Sequence, residues 1–220
     1  MQVALLGGTG DIGEGLALRL ARDTDHEVVV GSRKAEKADN AATEYEEALA
    51  DHGVEAAVGA AENPEAAAGA DVVVLSVPAY HLADTVESVA DDLSGILVSP
   101  AVGLQRDEAG LHYNPPGVGS VTALAAQAAP GDVPVVGAYH NLAAGRLADL
   151  DADLDWDVPV VADDGDAKAT VVDLTDEMAG LRALDAGPLA NATEVESLTP
   201  LLINLAANNE GMHDLGAKFW

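Results

Sequence analysis

The chain has 220 residues, 49% hydrophobic but only 3% aromatic, with 38 acidic side chains against 10 basic ones and a formal charge of −28. Its length suits one domain with an extension, or two small ones, and is enough for a large core. The charge argues against nucleic acid and anionic membranes as partners, the lack of cysteine excludes disulfides and thiolate metal sites, and no apolar run reaches the length of a membrane span.

In chain order, Gln2–Leu6 reads as a buried strand; MQVALLG has no basic start and meets glycines at once, so it does not read as a secretory pattern. A helix is expected over Asp11–Arg22, a strand over Glu27–Val30 and an Ala-rich helix over Ala35–Asp51. VEAAVG from Val54 reads as a short third strand, and NPEAAAGA as a helix capped by Asn63 with Pro64 at its first position. Asp71–Pro78 is the clearest strand, because its unbroken β-branched run suits a parallel sheet covered on both faces. A helix to Leu93, the strand GILVSP, a loop over residues 101–118, a helix over Val121–Ala129 and the strand VPVVGAYH follow. WDVPVVADD and LRALDAG are two further strands flanking a helix over Ala167–Met178, and the pattern is helical from Ala190 to the end. This alternation is α/β, a Rossmann-type doubly wound and mostly parallel sheet. We expect residues 1–188 to form a nucleotide-binding unit with extra strands, and 189–220 a helical segment completing a substrate pocket.

The first motif is a glycine loop. Gly8, Gly10 and Gly13 fit G-x-G-x-x-G after a strand and at the start of a helix, the context that the dinucleotide fingerprint requires. The first glycine is expected to allow the tight turn, the second the approach of a pyrophosphate and the third close helix–strand packing. Thr9 can add a hydroxyl to a phosphate, and the helix N-terminus offers free N–H groups. After the second strand an NAD site places an acid; this chain has Ser32, Arg33, Lys34 and Lys37. Even spacing of the cations gives about 0.2 per five residues, whereas residues 33–37 hold three. Helix starts favour acids, so stray basic residues explain this poorly, and the pattern points to the 2′-phosphate of NADP. In concentrated salt, Ser32 and Arg33 must act by direct hydrogen bonds.

Other candidates are less specific. Ser76–His81 and the His140 region lie at strand C-terminal ends, where ligands bind in open α/β sheets; the ordinary alternatives are a polar helix start for His81 and a surface histidine for His140. No nucleophile–base–acid series stands out, and the six histidines show no H-x-x-x-H, so no metal site is expected. The acids are spread along the chain rather than gathered in a tail, as in a protein adapted to a salt-rich cytoplasm.

VALLGGTGDIG, HEVVVGSRKAEKA, VPAYH, DWDVPVVADD, LDAGPL, VESLTPL and the ending GMHDLGAKFW together span nearly the whole chain. With them the sequence resembles the F420-dependent NADP oxidoreductases (NADPH:coenzyme F420 reductases), of haloarchaeal type. The resemblance implies hydride transfer between nicotinamide C4 of NADP(H) and C5 of an 8-hydroxy-5-deazaflavin, coenzyme F420, in a cytoplasmic homodimer. It implies a pyrophosphate loop at Thr9, Gly10, Asp11 and Ile12, and a 2′-phosphate site at Ser32, Arg33 and Lys37. Val77, His81, Val102, Ala144 and Leu215 would line the cofactor groove, and His140 would orient the deazaflavin. The chain reads AVGLQRDEAG after VSP, and NLAAGR after His140 where an Ile-Pro pair is usual. Direct hydride transfer between stacked rings needs orientation and exclusion of water rather than a strong base, so no catalytic side chain is expected. A reductase of another small imine, ketone or flavin, and a non-catalytic NADP(H) sensor, remain the alternatives on the motifs alone.

Overall fold

A computed structural model describes residues 1–220. The strands are β1 (Gln2–Leu6), β2 (Glu27–Ser32), β3 (Val58–Glu62), β4 (Val72–Leu75), β5 (Ile96–Ser99), β6 (Leu104–Asp107), β7 (Gly110–Tyr113), β8 (Val135–Gly137), β9 (Trp156–Ala162) and β10 (Leu181–Asp185). The helices are α1 (Asp11–Asp23), α2 (Ala35–Asp51), α3 (Asn63–Ala67), α4 (Leu82–Ser88), α5 (Val121–Ala128), α6 (Ala144–Ala148), α7 (Gly165–Glu177), α8 (Ala192–Glu196) and α9 (Leu198–Asn208). Eight strands form one sheet in the order β10-β9-β8-β5-β4-β1-β2-β3, parallel except where β9 meets β8.

Strand side chains alternate between the two faces. Val3, Leu5, Val28, Val30, Val72 and Val74 pack under α1, α2, α6 and α7. Ala4, Leu6, Val29, Val73 and Leu75 pack under α3, α4 and α5. Both faces are therefore covered, which is why VVVL carries no polar alternation. Chain order reverses between β1 and β4, so a crevice opens at their C-terminal ends. Because β9 runs antiparallel to β8, residues 138–155 stay at that same edge. Arg19, buried in α1, holds this segment down by donating to the carbonyls of Leu147 (2.8 Å) and Ala152 (3.1 Å).

Several local expectations are corrected. The third strand is Val58–Glu62, not residues 54–59, because Gly53 (φ +75°) and Val54 close α2 instead: Val54 N–H donates to the Leu49 carbonyl, a helix stop with an apolar residue after the glycine. Asn63 does not cap α3; it is the first helical residue, and its side chain makes no cap bond. α4 ends at Ser88 rather than Leu93, where Glu87, Asp91 and Asp92 oppose the helix dipole. The expected loop 101–118 contains the antiparallel hairpin β6–β7, turned by Asp107, whose carboxylate accepts from Ala109 N–H, and held to α9 by Asn204 across Leu111. The C-terminus is helical only to Asn208. Gly211 and Asp214 take positive φ, and residues 209–220 form a strap. Asp157 N–H donates to the Ala217 carbonyl, the buried Asp157 carboxylate accepts from Phe219 N–H, and Gly216 lies flat against Trp156 where no Cβ would fit.

Candidate functional site

The glycine loop caps the crevice between β1 and β4. Gly7, not Gly8, takes the left-handed conformation of the turn (φ +72°), and a Cβ there would come within 2.5 Å of Val77. Gly8 is small for another reason: its Cβ would press on the Leu5 carbonyl at 2.7 Å, and its N–H donates to Leu5 and Gly31 carbonyls. Gly13 has the packing role expected of it, since a Cβ would stand 2.5 Å from the Gly8 Cα. Gly10 is different, because nothing lies closer than 3.6 Å to where its Cβ would be; protein packing does not demand glycine there. Tyr45 of α2, buried, donates to the Gly8 carbonyl at 2.9 Å and fixes the loop from below. Burial and the nearby Glu14, Glu44 and Asp11 push its phenol far up, so it remains a donor.

A cavity of about 590 Å³ opens from this loop. Gly7, Thr9 and Gly10 form one wall, Ser32, Arg33, Lys34 and Lys37 a second, and Val77, Pro78 and His81 a third. Elsewhere Arg19, Arg22, Arg146, Lys168, Arg182 and Lys218 each bond a carboxylate or a carbonyl, and only Arg106, exposed on β6, stands unpaired. Arg33, Lys34 and Lys37 bond none, although the chain has 38 acids to offer. Lys34 and Lys37 also stand at the N-terminus of α2, where the helix dipole adds positive potential. The pocket thus accumulates cationic charge that no protein anion neutralises, and it is suited to a phosphate.

Two further cavities lie along the same edge. One, of about 400 Å³, is lined by Asn141, Leu142, Ala143, Ala144 and Gly145, by Thr199, Leu202 and Ile203 of α9, and by His213, Asp214 and Leu215 of the strap. The other, of about 470 Å³, shares Pro78 with the cationic cavity and is walled by Tyr80, Val102, Gly103, Pro115 and Val121. His140 lies behind these walls, 3% exposed, rather than on the surface. Its backbone carbonyl accepts from Thr199 Oγ1 at 2.6 Å, and its Nε2 is 3.2 Å from Thr122 Oγ1. Burial lowers its pKa to about 3, so the ring is neutral at physiological pH.

Buried polar atoms are normally paired. Asn63 Oδ1, Ser76 Oγ, Ser99 Oγ, His140 Nδ1 and Asn141 Oδ1 are buried with no protein partner, and all five stand at or just beyond the C-terminal ends of β3, β4, β5 and β8. This row of unpaired groups sets the C-terminal edge of the sheet apart independently of the motifs.

The structure therefore brings Thr9, Gly10, Ser32, Arg33, Lys37, Val77 and His81 together in one cavity, with Gly8, Asp11, Ile12 and Gly13 forming the loop and helix start behind it. Val102 lies in a separate cavity, and Ala144 with Leu215 in another. The stretch Ser76–His81, singled out in the sequence as a strand end, contributes Ser76 as well to the cationic cavity, while Asn63, Asp84, Thr85 and Ser88 carried no signal that pointed there. Glu196, fully buried, was also missed, because a single acid among 38 carries no mark in the sequence.

Residues 2–103 match the family described as NADP oxidoreductase, coenzyme F420-dependent. The chain is 41% identical over 209 residues to an F420-dependent NADP reductase of Methanocaldococcus jannaschii, covering 93% of this chain and 92% of that one. It is 38% identical to an F420-dependent NADP reductase of Methanothermobacter thermautotrophicus, covering 95% and 90%. A crystal structure from Arthrobacter sp. FB24, provisionally named an F420-dependent NADP reductase, superposes over 100% of this chain and 99% of that one with a TM-score of 0.81 at 26% identity.

Proposed function

The chain belongs to the F420-dependent NADP reductases, and from that membership we infer that it is an oxidoreductase passing a hydride directly between C4 of NADP(H) and C5 of the 8-hydroxy-5-deazaflavin of coenzyme F420. The observation that carries the NADP half is the set of three cations, Arg33, Lys34 and Lys37, left unpaired in one cavity of a strongly acidic chain.

The two coenzymes supply the redox chemistry; the chain's own groups bind, orient and exclude water. On this reading, Thr9, Gly10, Asp11 and Ile12 hold the pyrophosphate at the N-terminus of α1, and Gly10 is glycine to let the ligand approach. Ser32, Arg33 and Lys37 bind the 2′-phosphate, with Lys34 adding charge. Val77 and His81 continue the groove toward the reacting end, where Ala144 and Leu215 flank the nicotinamide. Val102 lines the cofactor groove from the neighbouring cavity, and His140 lies on the deazaflavin side. Residues 1–188 form the NADP-binding unit, and 189–220 complete the second pocket; Thr199, Leu202 and Leu215 in its wall support that division.

The experiment is run in concentrated potassium chloride. Protein, NADPH and oxidised deazaflavin are mixed and the deazaflavin's visible absorbance is followed, with NADH as control. Rapid bleaching with NADPH alone is expected; tight NADP binding without bleaching would overturn the co-substrate.

A homodimer in a salt-rich, archaeal-type cytoplasm is the working form on this reading, with no nucleic acid among its ligands. The charge of −28 supports the setting. Leu201 and Leu205, one turn apart on α9, are 53% and 43% exposed, an apolar stripe suited to a second copy. Sedimentation should give twice the chain mass; a monomer at micromolar concentration would contradict it. No helix is long and apolar enough to cross a membrane.

A further inference from the structure

The most unusual buried group outside the cofactor groove is Glu196 of α8, fully buried with no cation beside it. Its two oxygens accept from Tyr113 Oη at 2.8 Å, Val121 N at 3.0 Å, Thr122 N at 2.9 Å and Thr122 Oγ1 at 2.9 Å. The two main-chain donors are the first turn of α5, so the acid sits where the helix dipole favours an anion. A carboxylate only accepts, so the single hydroxyl proton of Thr122 goes to Glu196. Thr122 Oγ1 then has only lone pairs to offer the His140 Nε2 3.2 Å away, and that nitrogen must carry the ring's proton. Nδ1 is left as a bare acceptor, buried, with no protein donor. Tyr139, at φ +67° with its ring buried, and the Thr199 bond to the His140 carbonyl fix the backbone on both sides. The chain of contacts runs between the two smaller cavities: Thr199 lines one and Val121 the other.

We propose that Glu196, acting through Thr122, is a positioning residue that sets the tautomer of His140, so that Nδ1, covered in the unliganded chain, accepts a hydrogen bond from an N–H or O–H of the deazaflavin when the ligand displaces the wall over it. The proposal rests on the reading of this region as the deazaflavin pocket. Such a bond selects for a ring that presents a donor and orients it without adding charge.

The test uses Thr122→Val, which removes the hydroxyl but leaves Glu196 its bonds to Tyr113 and to both main-chain N–H groups, and Thr122→Ser, which restores the hydroxyl. ¹⁵N NMR of histidine-labelled protein should show His140 as the Nε2–H form in the parent and the serine variant, and as a mixture in the valine variant. The valine variant should raise KM for the deazaflavin about tenfold, the loss of one hydrogen bond, with KM for NADPH unchanged and serine restoring the parent value. An unaltered tautomer, or a deazaflavin KM that valine does not move or serine does not rescue, would overturn the proposal. If the parent protein fails to reduce any deazaflavin, the functional reading fails separately, and the NMR result still judges the tautomer.

Discussion

Arg33 and the loop glycines show how much one side chain can carry here. Arg33 is exposed at the rim of the cationic cavity and bonds no protein group, so its guanidinium is available to a phosphate far from the reacting carbons. Arg33→Ala should raise KM for NADPH with little change in kcat, since a charge-assisted bond contributes roughly 1.5–3 kcal/mol. An unchanged KM would remove Arg33 from the site. Two glycines three residues apart should behave in opposite ways. A Cβ at Gly10 meets nothing within 3.5 Å, while one at Gly13 strikes the Gly8 Cα. Gly10→Ala should therefore keep the melting temperature and lose NADP affinity. Gly13→Ala should lose about 1–3 kcal/mol of stability through overpacking, read as a lower melting temperature without ligand. Equal melting temperatures for the two variants would refute this division of roles.

Among the elements, the C-terminal strap is held by one buried carboxylate. Asp157 accepts a bidentate pair from Arg182 at 2.8 and 2.7 Å and a bond from Phe219 N–H, and Lys218 lies 3.5 Å away. The Arg182 hydrogen bonds are the main reason its pKa falls to about 2, with the Phe219 N–H and the charges of Arg182 and Lys218 adding to the effect. A carboxyl whose folded pKa lies below its unfolded value stabilises fully above about pH 4 and loses that contribution as pH falls toward 2. Hydrogen exchange at Phe219 should therefore be slow and constant from pH 7 to 4, after correction for intrinsic rates, and rise below that. Release of the strap already at pH 6 would show that Asp157 does not hold it. Because Leu215 lines the second pocket, Arg182→Ala should open that pocket at neutral pH.

For the molecule as a whole, the charge of −28 sets the conditions of stability. Exposed like charges repel over about 10 Å at 0.1 M salt but only about 3 Å at 1 M. The melting temperature should rise markedly between these concentrations and flatten above them, as measured calorimetrically. A melting temperature independent of potassium chloride would mean that self-repulsion is not a significant term. The buried Arg19 clamp on residues 147–152 is shielded from this screening, so the segment it holds should unfold with the core rather than ahead of it.

Strand and helix positions from Gln2 to Asp51 were legible in the sequence because each rests on local causes: an apolar period, a turn glycine, a helix stop. The glycine loop and the run Ser32–Lys37 were equally legible, since contiguous residues form one wall of the cavity. Other features depended on contacts distant in the chain. β3 took its place from pairing with β2, and the hairpin Leu104–Tyr113 was hidden in a stretch rich in Gly and Pro until Asn204 bound its edge. The strap lost its helix to Asp157, about 60 residues earlier, through bonds whose partners no local pattern reveals. Glu196 and Thr122 are unremarkable in sequence and meet His140 only through folding. Composition and short-range pattern thus specified the fold class, the acidic surface and the run of cations beside the glycine loop, since these depend on local periodicity, summed charge and contiguous residues. How Tyr113, Thr122, Glu196 and Thr199 gather around His140 was decided by packing, because these groups come from four separate segments joined only by long-range hydrogen bonds.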